Sequence, residues 1–179
     1  MDTLSCKNAR LAFRKVTNRT NTRSIIACLI PPNVFIQDGA PVILWPRGTS
    51  QDCAYLLGFM SSIPLDWLAR RVLEINLTFD VLSIFPIPRP DGRNILRTRV
   101  IELAGRLACP DERFADWAKE VGVEYGHLEE EIKQDMIHEL DAVVARLYEL
   151  TEEHLIHIFE TFHVGWDYHE RLDATLKHF

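Results

Sequence analysis

The sequence predicts an α+β fold: a β-rich mixed module over residues 1–92 with two internal helices, followed by an α-helical module over residues 93–179. Three observations lead there. Short apolar runs, closed by Pro or by Asn- and Gly-containing turns, dominate the chain before residue 50. Apolar residues recur at three and four positions through most of the second part. Charge divides in nearly the same place. Residues 1–100 carry 13 Lys and Arg against 7 Asp and Glu, whereas residues 101–179 carry 7 against 19 and hold all seven histidines.

Taken in order, "RLAFRKV" alternates loosely and reads as a strand, with Leu11 and Phe13 apolar and Arg10, Arg14 and Lys15 polar. "RSIIACLIPP" is a short buried strand stopped by Pro31 and Pro32. "NVFIQ" and "PVILWP" are expected as two further strands around the turn "QDGAP". "TNRTNT" is a polar loop of residues whose side chains bond to nearby backbone. The period then changes to that of a helix. "DCAYLLGFMSS" presents Tyr55, Leu56, Phe59 and Met60 on one face, and "PLDWLARRVLEI" presents Leu65, Leu68 and Val72. Pro64 fits only the first turn of that second helix. "NLTFDVLSIFPIPRPDG" is expected as a strand running into an extended Pro-rich segment.

From Asn94 onward every segment reads as helix. "ILRTRVIELAGRLA" is amphipathic, and "PDERFADWAKEVG" has Pro and acids at its start and Gly122 at its end. In "HLEEEIKQDMIHELDAVVARLYEL" the stripe Leu128, Ile132, Met136, Leu140, Val143, Leu147 and Leu150 is the clearest helical face in the chain. Thr151 is the expected cap of "EEHLIHIFETF", with Glu152 and Glu153 near the positive helix end. "DYHERLDATLKHF" closes the series.

The bulk numbers narrow the function classes. No apolar run approaches the roughly 18–20 residues of a membrane span. The N-terminal stretch has no apolar core of a signal peptide, so a cytoplasmic protein is expected. Cys6, Cys28, Cys53 and Cys109 are widely spaced and expected as reduced thiols. No GxGxxG, GxxxxGKS/T or GxSxG motif occurs, nor an Asn/Asp-Pro-Pro-Tyr/Phe motif of amino-methyltransferases; "LIPPN" has no aromatic after its prolines. Ser61, Asp66 and a histidine lack a nucleophile elbow. The expectation is therefore no catalytic residues and no enzyme complete within this chain. His154, His157 and Glu160 lie at i, i+3 and i+6, with His163 and His169 nearby, but the same stretch gives Leu155, Ile158, Phe159 and Phe162 to a core face, and no metal site is expected. Trp67, Trp117 and Trp166 read as core anchors.

One stretch runs against the net charge of −6: no Asp or Glu occurs between Asp2 and Asp38. Within it "RKVTNRTNTR" sets Arg14, Lys15, Arg19 and Arg23 among Thr17, Asn18, Thr20, Asn21 and Thr22. Arg and Lys bind a duplex backbone through charge and counterion release, which supplies affinity without sequence choice. Arg pairs with guanine edges, Asn with adenine, and Thr with several. The residue types suit a DNA-reading loop between two strands. They equally suit a surface hairpin with no ligand, and composition leaves both open.

Five segments together resemble the C-terminal region of type IIG restriction–modification enzymes, large single-chain DNA adenine-N6 methyltransferases often fused to an endonuclease. These are "RLAFRKVTNRTNTRSIIACLIPP", "AYLLGFMSSIPLDWLARR", "NLTFDVLSIFPIPRP", "RVIELAGRLA" and "ELDAVVARLYELTEEHLIHIFETF". They follow the family's order and cover nearly all of the chain. The chain departs from the family at Ser61-Ser62, where Asn-Ser is frequent, and at Glu149, where Gly is frequent. The resemblance implies a target recognition domain: a fragment or separate subunit that reads double-stranded DNA for a methyltransferase or endonuclease domain of the same or a partner chain. S-adenosylmethionine would bind in that other domain, and this chain is expected to hold no cofactor. The expected DNA contacts are Arg14, Lys15, Arg19 and Arg23, with Thr17, Asn18, Thr20, Asn21 and Thr22 at base edges and Arg47, Arg89 and Arg93 as further phosphate contacts. The acidic helical part is expected to face away from DNA. The alternative is a helical docking module that binds a methyltransferase or nuclease partner through the 128–150 stripe.

Overall fold

A computed structural model describes residues 4–18, 20–44 and 47–179. It is a mixed α+β fold and mostly helical: a small antiparallel sheet is followed by eight α-helices among the described residues. Strand β1 (Arg10–Phe13) is central and pairs antiparallel with β2 (Ala27–Ile30) and β3 (Val42–Ile43). Leu11 lies opposite both Leu29 and Ile43, which fixes the register on an apolar row.

The first part is less β-rich than its sequence predicts. Its strands have 4, 4 and 2 residues, against 12, 10 and 5 in helices α1 (Ser50–Ser61), α2 (Ile63–Val72) and α3 (Phe79–Ser83). "NVFIQ" is not a strand, and its Phe35 is exposed. "PVILWP" contributes only Val42–Ile43 among the described residues. The expected strand in "NLTFDVLSIF" is α3 instead. Thr78 accepts the Val81 N–H as an N-cap and Asp80 sits in the first turn, so local capping outweighs the β-branched composition. The segment from Pro86 to Pro90 has neither helix nor strand, and Tyr55 donates to the Pro88 carbonyl at 2.9 Å.

The helices α4 (Ile95–Leu107), α5 (Ala115–Val121), α6 (Glu130–Leu147), α7 (Glu152–Glu160) and α8 (His169–His178) match the sequence signals closely. Pro64 lies in the first turn of α2, Gly122 ends α5 with φ of 90°, and Thr151 caps α7 by accepting from the His154 N–H. Thr49 and Asp52 form a reciprocal capping box on α1.

One core joins the sheet to both sets of helices. Leu11 and Phe13 of β1, Leu57 and Phe59 of α1, Leu103 of α4, Trp117 of α5 and Leu140 of α6 belong to the same buried cluster. A smaller cluster lies between α2, α7 and α8, with Ile63, Leu155, Phe159, Phe162 and Leu172 buried and Trp67 and Trp166 packed against it. Trp166 stacks on Phe159 at 5.6 Å between ring centroids. The long stripe of α6 is buried only in its second half: Leu140 and Val143 are inside, while Ile132 is 53% exposed.

Two glycine positions explain helix contacts. A Cβ on Gly58 would stand 2.5 Å from Val100 Cγ1 and 3.3 Å from the Ala104 Cβ, so α1 approaches α4 only because nothing is there. Gly58→Ala should destabilise the protein by about 1–3 kcal/mol through overpacking, visible as a lowered midpoint in a thermal melt followed by circular dichroism. Glu149 is the reverse case. It follows α6 in the left-handed region, with φ of 55°, while the Leu150 N–H reaches back to the Ala145 carbonyl at 3.1 Å. Glu149→Gly should stabilise the chain by roughly 1 kcal/mol, since a Cβ at positive φ is strained; urea titrations of both proteins measure it.

Candidate nucleic-acid interface

The stretch from Arg14 to Ile26 leaves β1 and returns as β2. It is anchored before it turns. The Arg14 N–H bonds the Ile26 carbonyl at 2.8 Å, the Thr17 N–H bonds the Ile75 carbonyl at 2.8 Å, and the Leu77 N–H bonds the Lys15 carbonyl at 2.8 Å. Val16 thereby bridges Asn76, so the segment after α2 continues the sheet's pairing for one step. The turn itself is built by Asn18. Its side-chain oxygen accepts from the Thr20 N–H at 2.9 Å, the Asn21 N–H at 3.1 Å and the Thr20 hydroxyl at 2.6 Å. Thr17 is only 2% exposed and donates to the Ser24 carbonyl at 2.6 Å, closing the loop across its neck.

The floor under this loop is α2. Asp66 is fully buried and accepts from the Ser24 and Ile25 N–H groups, each at 3.1 Å, and from Arg23 Nε. Arg23 also donates to the Ser61 carbonyl at 2.9 Å and the Ser62 carbonyl at 3.2 Å. One turn further along α2, Arg70 is 6% exposed and donates to the Asn21 and Thr22 carbonyls, both at 2.6 Å. Burial lowers the Arg70 pKa, Asp66 opposes that, and the Arg23 and Arg71 charges add to it. A guanidinium stays charged through such a change. Arg23 and Arg70 thus share the floor of the loop with Asp66.

The expected contact residues therefore separate. Asn18, Thr20 and Thr22 are exposed on the loop, and Asn21 is half-buried. Arg14 is half-buried and 3.5 Å from the Thr17 hydroxyl. Lys15 pairs with exposed Asp38 at 2.7 Å, an exchangeable contact worth less than about 1 kcal/mol at such a site. Thr17 and Arg23 are spent inside the protein, as neck and anchor of the loop. Arg19 lies outside the described residues. Arg47, Arg89 and Arg93 are exposed, and no hydrogen bond or ion pair joins them to the loop among the described residues. Sequence reasoning missed Asp66 and Arg70. Their signal was the i, i+4 spacing of opposite charges on a helix whose other residues there are apolar.

Other chemistry is sparse. A larger groove of about 1020 Å³ shares no lining residue with the loop. Its lining mixes four cations, Lys7, Arg10, Arg113 and Lys119, with the carboxylates of Asp116 and Glu120. Among the described residues no three His, Cys, Asp or Glu side chains gather as metal ligands would. The four cysteines are free thiols, and burial pushes Cys53 and Cys109 each up to about 11, away from reactivity. Among the described residues no helix is long and apolar enough to cross a membrane. The chain matches no protein-family model, and comparison with curated proteins and with solved structures found no similar protein.

The role of Asp66 is testable directly. Asp66→Asn should cost about 3–5 kcal/mol, the range for breaking a buried charge pair from one side. Urea titration reads the total, and faster hydrogen exchange at the Ser24 and Ile25 amides locates it. A variant as stable as the parent would remove Asp66 from its place as anchor.

Proposed function

We propose that this chain is a double-stranded DNA recognition module, a target recognition domain serving a restriction–modification type adenine-N6 methyltransferase. The observation that carries the reading is the loop of residues 17–25. It is free of carboxylates, presents Asn18, Thr20 and Thr22 outward, and is held from beneath by Asp66 and Arg70. Base edges are read by side chains held in fixed register, and a loop pinned by Asp66 and Arg70 meets that need better than a mobile one. Arg14 and Lys15 at its base, and Arg47, Arg89 and Arg93 elsewhere on the surface, supply the sequence-independent phosphate attraction. Methyl transfer, S-adenosylmethionine and any endonuclease step fall to a separate domain or chain in this reading.

The half-exposed stripe of α6 favours a second role beside the first. Ile132 is exposed near the start of α6, an apolar position suited to docking a methyltransferase or nuclease partner.

Fluorescence anisotropy with labelled duplex tests the main reading. With the five cations Arg14, Lys15, Arg47, Arg89 and Arg93 on phosphates, raising salt from about 0.05 M to about 0.2 M should weaken binding roughly 500-fold. Replacing Arg14 and Lys15 together by Gln should flatten that dependence. Absence of binding at the lower salt would overturn DNA recognition by this chain and leave the docking role.

A further inference from the structure

A cleft of about 370 Å³ opens beside the loop, and its far wall comes from the acidic half of the chain. Thr20 lines one side, Arg70 and Arg71 the base, and Thr161, His163 and Val164 of the turn between α7 and α8 the other. No carboxylate lines it among the described residues. Three side chains of α2, Trp67, Arg70 and Arg71, bolt the turn to it. Arg70 lies 4.1 Å over the Phe162 ring and places Nη1 3.4 Å from His163 Nδ1. Trp67 Nε1 donates to the Thr161 hydroxyl at 2.8 Å. Arg71 stacks over Trp67 at 4.5 Å and reaches the Thr161 carbonyl at 3.4 Å.

Two details of this wall bear on what it could hold. A guanidinium can only donate, so His163 Nδ1 accepts from Arg70 and Nε2 carries the ring's proton; His163 is among the residues lining the cleft. Val164 is 98% exposed at the rim, so its side chain is open to a partner.

Resting on the proposed DNA recognition, we infer that this cleft is a second DNA contact: the Arg71 guanidinium and His163 Nε2 grip one backbone phosphate. Val164 meets the adjacent sugar or a thymine methyl, an apolar contact that DNA offers. The turn thus becomes the one part of the acidic half that faces the duplex. Residues 161–166 carry no carboxylate, which is consistent with that position.

The test uses the full chain and a fluorescein-labelled duplex of random sequence. Arg71→Gln should weaken binding about five- to tenfold and lower the salt exponent by about one, equally for all sequences. Val164→Glu, at a position where packing cannot suffer, should also weaken binding by repelling phosphate. Arg113→Gln, in the other groove and paired with Asp111, is the control and should bind as the parent does. Parent-like binding by both cleft variants, while the Arg14 and Lys15 double variant is impaired, would overturn the second contact and keep the first. A loss with Arg71→Gln alone, at unchanged melting temperature, supports the phosphate grip and removes Val164 from it. No duplex binding by the parent overturns both readings together.

Discussion

The buried carboxylate of Asp66 is the constraint around which the rest is arranged. Taking such a charge out of water is expensive and is tolerated only where donors surround it. Here the donors are two consecutive backbone amides and a guanidinium, all from the loop between β1 and β2. The carboxylate sits in the first turn of α2, where the helix end is positive and favours it. One side chain thereby satisfies the loop's backbone, sets the distance between sheet and helix, and holds Arg23 inward. Arg70, one turn later, repeats the arrangement with opposite sign by donating to the loop's carbonyls.

A second buried carboxylate does the same work at the other end of the joint. Asp141 of α6 accepts from the Ile63 N–H at 2.7 Å, capping α2 from another helix, and from Arg171 of α8 at 2.6 Å. The backbone from Ser61 to Asp66 is consequently gripped from both sides, by the first part of the chain through Arg23 and by the last through Asp141. Helix α2 acts as the keystone between the loop, the main core and the smaller α2–α7–α8 cluster. Its position transmits the placement of the α7–α8 turn to the neighbourhood of Thr20, far apart in sequence but on one cleft in space.

The legible parts of this fold are those where local chemistry suffices. Pro64 in the first turn of α2, Gly122 after α5 and Thr151 before α7 announced helix ends because capping depends on a few neighbouring residues. The strands were legible as apolar runs but not in extent: "NVFIQ" looked like a strand and has no partner, since pairing depends on what the sheet leaves free. "LTFDVLS" misled in the other direction, because its β-branched and aromatic residues carried less weight than the Thr78 cap. At the candidate site the acid-free composition was legible, whereas the separation of its residues was not. Thr17 and Arg23 have the same chemistry as Thr20 and Arg14; burial distinguishes the threonines, and the bonds to Asp66 and the Ser61 and Ser62 carbonyls distinguish Arg23.

By itself the sequence determined the mixed fold class, the order and ends of the helices, and the concentration of positive charge and amide side chains in one carboxylate-free loop. Those follow from periodicity, capping and composition, which act over a few residues. The tertiary structure decided which of the loop's groups are spent on internal hydrogen bonds, that α2 carries the buried Asp66 and Arg70 beneath it, and that a turn from the acidic half shares its cleft. Such outcomes depend on side chains meeting across long sequence separations, where desolvation sets which charges must be paired and which remain available to a partner.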